Sequence, residues 1–390
     1  MRIAVIGAKG LPAQQGGIEH HCQELYPRIV QQGHQVDLYA RSSYTGSLFR
    51  DTVNGVRVIS IPSLNLRGLD ALSCSLLGTL STIAGFQEQP YDIIHFHALG
   101  PSLFSGLPRF NTKSRVIVTC HGLDWARAKW GRTSRWVLRQ GERNALKFAD
   151  DMIAVSEDLQ DYFQATYQRE THYIPNAPAS YVVSDPSFQF GQSLGLQPQK
   201  YFVFLGRLVP EKRPDLLLEA FSQLDQQGWK LAIVGGDSDS QGYAELLKKQ
   251  YASEQVVFTG ELVGAKLAEI VRGGGLLVLP SDVEGMPLVL LEAMNENVPV
   301  LASDIDVHQK LLANGRGLLF EVGQLEACQQ QLSWAIEHSK SLSLMAEAAQ
   351  HYVRTVYNWD DIVQQTLAVY DRALLSHPAS SERQREMSRV

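Results

Sequence analysis

One alternation, run twice, constrains this chain more than anything else in it. Short apolar runs rich in β-branched residues are each followed by a helical or loop segment. In the first half the runs are RIAVIG (2–7), QVDLYA (35–40), VRVISI (56–61), DIIHFH (92–97), RVIVTC (115–120) and DMIAVS (151–156). In the second half they are YFVFLG (201–206), KLAIVG (230–235), VVFTG (256–260), GLLVLP (275–280) and PVLAS (299–303), with helical patterns at 214–225, 242–252, 264–272 and 287–295. None alternates strictly between apolar and polar. Strands of that kind are buried on both faces, as in a parallel sheet between two helical layers. Two such series predict an α/β protein of two doubly wound, Rossmann-like domains. The length, 390 residues, suits two domains. The boundary is expected in 174–199, which is rich in Pro, Ser, Gln and Gly and has no periodicity. This predicts one domain over 1–180 and a second over 181–358, then a helix over 359–376 outside the second sheet and a flexible tail over 377–390.

Composition excludes several classes. Hydrophobic residues make up 44% and charged residues 19%, which is globular rather than disordered. Cys22, Cys74, Cys120 and Cys328 form no CxxC pair, which fits a reducing compartment and argues against structural zinc. The start, MRIAVIGAKG, lacks the long apolar stretch of a signal peptide. The charge-free stretch 71–87 has five Ser or Thr in 17 residues, which is a poor membrane span. A cytoplasmic protein is expected. The net charge of −6 divides into +3 over 1–180 and −9 over 181–390, unlike a nucleic-acid binder that is basic throughout.

Open α/β sheets bind ligands beyond the carboxyl ends of their strands, and the unusual residues lie there. The first strand leads into GAKGLPAQQGGIEHH, where Gly7, Gly10, Gly16 and Gly17 leave bare backbone N–H groups before a helix starting near Gly17. Lys9 stands where a dinucleotide fingerprint needs glycine, and Arg41 where it needs an acid. An ordinary strand–helix turn is the alternative. Arg207 and Lys212, after Gly206 in GRLVPEKRP, suit a shared diphosphate, with Arg as a planar fork and Lys as a point charge. A solvated loop is the alternative. In SDVEGMPLVLLEAM (281–294), Glu284 precedes a helix expected to start near Pro287. The N–H groups of Gly285, Met286 and Leu288 crown that helix, and Glu292 lies two turns along it. Capping for Glu284 and plain solvation for Glu292 are the alternatives.

His121, just past its strand, is expected to face the cleft, with Nε2–H donating to a sugar hydroxyl or a departing phosphate; a purely structural histidine is the alternative. His95 and His97 alternate on their strand as further loop-end groups. No carboxylate or third histidine is seen to join them, so no metal is expected there. Asp237–Ser238–Asp239 has a metal-like spacing but an unsuitable setting. In 127–147, seven basic residues accompany one acid. Arg135, Arg139, Arg143 and Lys147 share a helical face, with Trp130 and Trp136 nearby, and such a helix suits an anionic membrane surface or simply water.

Taken in order, GGIE (16–19), HG (121–122), AVSE (154–157), IPN (174–176), GRLVPEK (206–212), IVGG (233–236), VFTG (257–260) and the E-x7-E element from Glu284 to Glu292 resemble glycosyltransferase family 4, the retaining enzymes of the GT-B fold. HGLDWARAKWG is similar to the bacterial polysaccharide, rhamnosyltransferase-like subgroup. The resemblance implies two Rossmann-like domains facing across a cleft, the first on the acceptor side and the second binding the nucleotide-sugar, with the last helix crossing back to the first domain. It implies metal-independent, retaining transfer of a hexose or deoxyhexose, with the nucleotide-sugar as co-substrate and no cofactor. The acceptor would be a glycan or lipid-linked molecule in cell-surface polysaccharide synthesis, and the enzyme cytoplasmic or peripheral at the inner membrane face. Carried over by position, Arg207 and Lys212 neutralise the diphosphate. Glu284 and the backbone of Gly285, Met286, Pro287 and Leu288 bind donor sugar and phosphate. Glu292 holds the ribose, Gly16 and Gly17 approach the phosphate, the base lies near Thr259, and His121 supports the departing phosphate. The rivals are an epimerase or phosphorylase of similar shape and a non-catalytic sugar-nucleotide-binding protein. The last lysine, Lys340, sits in no pyridoxal-type motif, and the intact charged set disfavours the non-catalytic reading.

Overall fold

The computed structural model describes residues 1–13, 16–46, 50–63, 69–84, 89–110, 112–126, 130–179, 181–236 and 242–375. The chain divides into two compact units, one of Met1–Ala126, Trp130–Pro175 and the chain from Trp359, the other running mainly from Asn176 to Asn358.

In the first unit the strands are β1 (Arg2–Ile6), β2 (Gln35–Arg41), β3 (Arg50–Val53), β4 (Val56–Ile61), β5 (Ile93–His97), β6 (Arg115–Cys120), β7 (Asp151–Ala154) and β8 (His172–Tyr173). Among the described residues they form one sheet, ordered β3-β4-β2-β1-β5-β6-β7-β8. Every pairing is parallel except β3 with β4. The central strands β5 and β6 are buried along their whole length, as strands between two helical layers are. Helix Gly17–Gln31 packs against helix Trp359–Leu375, which also contacts β6. Helices Leu69–Ile83 and Arg132–Phe148 both pack on the short turn Pro101–Phe104.

The Leu69–Ile83 helix explains its own odd composition. Ser75 and Thr79 return their hydroxyls to the carbonyls of Ala71 and Ser75, each at 2.7 Å, so these polar groups are satisfied inside the helix. Leu69, Leu77 and Leu80 are left exposed. In helix Arg132–Phe148 the inner face is Gly141, Glu142 and Ala145. Glu142, the one acid of that segment, is buried; it accepts from Trp125 Nε1 at 2.5 Å and from the Tyr162 hydroxyl at 2.7 Å. Arg135, Arg139, Arg143 and Lys147 are all exposed on the outer face, with Arg139 4.7 Å above the Trp125 ring.

The second unit has β9 (Tyr201–Leu205), β10 (Lys230–Val234), β11 (Val256–Gly260), β12 (Leu276–Leu279), β13 (Val300–Ser303) and β14 (Leu318–Phe320), in one parallel sheet ordered β11-β10-β9-β12-β13-β14. Its core gathers Phe202, Phe204, Phe221, Trp229 and the leucines of helix Pro214–Ser222, with Phe202 stacked on Trp229 at 4.8 Å. Each such side chain contributes about 1.5–3 kcal/mol by leaving water. No helix among the described residues is long and apolar enough to cross a membrane.

Candidate active site

In the second unit the chain leaves β9 for β10 on one side and later returns to β12 on the other, so the sheet's switch point lies between β9 and β12. Adjacent strands part there, and the loops after them open a ligand crevice. The loop after β9 carries Gly206, Arg207 and Lys212; the loop after β12 carries Ser281 and Glu284. The Asp282 N–H donates to the Glu211 carbonyl at 3.0 Å and ties the two loops together. Gly206 is not demanded by packing, since an added Cβ would meet only the Phe204 ring at 3.8 Å. Arg207 is half-buried in the same loop.

Lys212 Nζ donates to Glu284 Oε1, and the Ser281 hydroxyl donates to the same oxygen at 2.8 Å. The carboxylate is 10% exposed. Burial pushes its pKa up, but the Lys212 ammonium, His308 and the two hydrogen bonds outweigh this and hold Glu284 below its ordinary value. His308 is fully buried and held neutral, with its pKa lowered to about 4, chiefly by desolvation. Its Nδ1 lies 2.8 Å from the Ser303 carbonyl, and its Nε2 is buried with no hydrogen-bond partner.

The helix after Glu284 is Leu288–Asn295, with Pro287 as its N-cap rather than its first residue, and no side chain caps it. Its opening N–H groups and those of Gly285 and Met286 follow directly on Glu284. Glu292 is buried, 7% exposed, and its Oε2 accepts from the Tyr181 hydroxyl at 3.0 Å. The solvated-residue alternative for Glu292 therefore fails, and Tyr181 is a site neighbour that no spacing in the sequence marks. Thr259 stands next to last in β11, two strands from β9, with its hydroxyl on the Gly260 carbonyl at 2.8 Å. Asp237–Ser238–Asp239 lies outside the described residues.

In the first unit the switch point lies between β1 and β5. Gly7 has φ +114°, and a Cβ on it would come within 2.3 Å of the His97 carbonyl, so only glycine lets β1 turn away here. At the far end of the loop Gly16 has φ +99°, and a Cβ would sit 2.1 Å from the Glu19 carboxylate. That carboxylate accepts the Lys9 N–H at 2.8 Å and folds the loop back onto helix Gly17–Gln31.

Behind this loop a hydrogen-bonded chain crosses the sheet. His121 Nε2 lies 2.9 Å from His97 Nδ1, and His97 Nε2 lies 2.5 Å from the Tyr26 hydroxyl. Tyr26 is 3.1 Å from His95 Nδ1, which is 2.7 Å from the Tyr370 hydroxyl of the last helix, and His95 Nε2 is 2.7 Å from Thr119 Oγ1. Three sequence expectations are corrected here. His95 lies inside β5, and His97, although the last residue of that strand, is like His95 fully buried, because β5 is one of the two middle strands of the sheet. His121 does not point Nε2 outward; that nitrogen is taken by His97. Two further histidines, His21 of helix Gly17–Gln31 and His121, do gather around His97, while His95 stays outside that group.

The two doubly wound units, each with polar side chains at its switch point, are those of the GT-B glycosyltransferases. Sucrose-phosphate synthase from Thermosynechococcus elongatus has the same fold, with a TM-score of 0.82 at 20% identity over 96% of this chain and 100% of that one. Anabaena HepE, solved with UDP and glucose, gives 0.78 at 20% identity over 95% and 100%. Residues 15–177 match the family described as Glycosyltransferase Family 4, and residues 188–352 the family described as Glycosyl transferases group 1; the chain belongs to these glycosyltransferases. One relative, D-inositol 3-phosphate glycosyltransferase of Gordonia bronchialis, is 27% identical over 97% of this chain and 90% of its own length. The likeness to D-inositol 3-phosphate glycosyltransferases does not confirm the rhamnosyltransferase-like subgroup.

Proposed function

We propose that this glycosyltransferase is a retaining, metal-independent enzyme that moves a hexose or deoxyhexose from a nucleotide-sugar to a glycan or lipid-linked acceptor. The observation that carries the reading is the Lys212–Glu284–Ser281 cluster at the β9/β12 switch point. A nucleoside diphosphate leaves as an anion, and fixed cations and amide dipoles aimed at it lower the barrier. Lys212 and Arg207 supply the charge a metal would otherwise bring. The uncapped N-terminus of helix Leu288–Asn295 supplies the dipoles. Lys212, shared with Glu284, keeps that carboxylate ionised as an acceptor for donor-sugar hydroxyls. Glu292 takes the ribose hydroxyls. His121, with Nε2 on His97, offers Nδ1 to the donor. No residue needs to act as a covalent nucleophile if the acceptor attacks on the leaving-group face and phosphate takes its proton.

The acceptor side rests on the first unit. The exposed face of Arg135, Arg139, Arg143 and Lys147, and the exposed Leu69, Leu77 and Leu80, belong to two helices packed on one turn. Apolar surface suits a lipid chain and the cations suit anionic headgroups, at about 1 kcal/mol for each Lys or Arg. The relative named for inositol phosphate favours a second reading, a small phosphorylated polyol as acceptor.

A panel of UDP-, GDP- and dTDP-sugars, read first by thermal shift and then by donor hydrolysis and transfer, tests the reading. UDP-glucose comes first, because HepE has been solved with it. A panel with no shift and no turnover sinks the enzyme reading. Co-sedimentation with anionic liposomes, comparing wild type and a variant with three of the four charges reversed, separates the acceptors. Equal binding by both proteins, or none by either, leaves the soluble polyol.

A further inference from the structure

We propose that His21, His97 and His121 form a binding site for a first-row transition-metal ion of the zinc type. Each offers one ring nitrogen, and the three nitrogens lie within 4.8 Å of one another. Among the described residues no other group of His, Cys, Asp or Glu converges in this way. A tetrahedral ion with bonds of about 2.0–2.1 Å holds its nitrogens about 3.4 Å apart. The observed spacings, from 2.9 Å between His97 Nδ1 and His121 Nε2 up to the 4.8 Å limit, bracket that value.

His97 and His121 meet nitrogen to nitrogen, with ring centroids 5.2 Å apart, while His21 meets His121 edge-on at 5.0 Å and is tilted 57° to His97 at 5.5 Å, so it approaches from the side. His97 is held as a metal ligand is usually held, with its other nitrogen against a fixed oxygen, here the Tyr26 hydroxyl. The hydrogen now between His97 Nδ1 and His121 Nε2 moves to the remote nitrogen of whichever ring carries it, so both rings bind as neutral tautomers. Imidazoles without a carboxylate suit zinc, copper, nickel or cobalt rather than magnesium or manganese. His121 is half-buried while His97 and His21 are buried, so the ion enters past His121 and a fourth position stays open to water.

The inference goes beyond the proposed transfer reaction and does not rest on it, so its test reads binding alone. Chelator-stripped full-length protein is titrated with Co2+ and followed by visible absorption. One equivalent is expected to give the intense bands of a four-coordinate ion, bleached by Zn2+ and untouched by Mg2+. His21→Gln and His97→Gln should each weaken binding at least tenfold, while the exposed His351→Gln should not. Circular dichroism checks the folding of each variant. If the buried variants fail to fold, the half-buried His121→Gln carries the comparison. A pale six-coordinate spectrum, or unchanged affinity in the folded variants, overturns the site.

Discussion

Lys212 and Glu284, 72 residues apart in sequence, form an ion pair in which both side chains are mostly buried, and the Ser281 hydroxyl donates to the same carboxylate oxygen. The pair changes what a mutation at Lys212 is expected to do. Read as a loop residue, Lys212 can be removed with the fold intact. Read as the partner of a buried carboxylate, it cannot, because an uncompensated charge costs about 3 kcal/mol. Lys212→Ala is therefore expected to lower both turnover, by about a hundredfold, and the urea midpoint. Lys212→Ala combined with Glu284→Gln should restore the midpoint and leave turnover low. Equal midpoints for wild type and Lys212→Ala would remove the pair as a stabilising contact.

Arg207 is half-buried in the loop beside Gly206. Arg207→Ala is expected to cut transfer by about a hundredfold through loss of a charge-assisted contact. Steady-state kinetics beside a melt decide it, and near-normal turnover in the folded variant takes Arg207 out of the site.

Tyr181→Phe removes the hydroxyl that donates to Glu292. If Glu292 receives the ribose, this variant should change the KM for donor several-fold while leaving kcat within about twofold, as loss of a ground-state contact does. A change confined to kcat would point to another role.

Transfer should survive EDTA. Lys212 and Arg207 bring the positive charge for the leaving diphosphate, and an ion held by the histidine cluster is not needed for it. Turnover abolished by chelation and restored by Mg2+ or Mn2+ would contradict the cationic mechanism.

Acid should destabilise the fold through its buried histidines. Burial lowers His308 to about 4 and His95 to about 3, from an ordinary value of 6.5. The unfolded chain takes up these protons as pH drops below 6.5, while the folded chain refuses them until about 4 and about 3. Stability is therefore full above 6.5 and declines steadily below it. Glu284, held below its ordinary value, adds a loss of the same sign at still lower pH. Urea midpoints from about pH 7.5 down to about pH 5 should fall for wild type. The slope should be flatter in His308→Gln.

What the chain alone determines is local. Runs such as RVIVTC and YFVFLG are apolar on both faces, and only a strand between two helical layers hides both, so the paired α/β architecture follows from the pattern. The strands that escape are those with no such signature: RDTV of β3 is a polar edge, β8 spans two residues and β14 three. The loops after β9 and β12 are legible as sites because glycine, lysine, arginine and glutamate cluster there at strand ends. Partnership is what tertiary structure decides. His21, His97 and His121 carry no common spacing; they meet because β1, β5 and β6 are neighbours in the sheet and helix Gly17–Gln31 follows β1. Tyr181 reaches Glu292, and Tyr370 reaches His95 across 275 residues, by packing alone. A sequence shows which residues can bond, but hydrogen bonds and ion pairs act over about 3 Å, and only the folded sheet brings their partners that close.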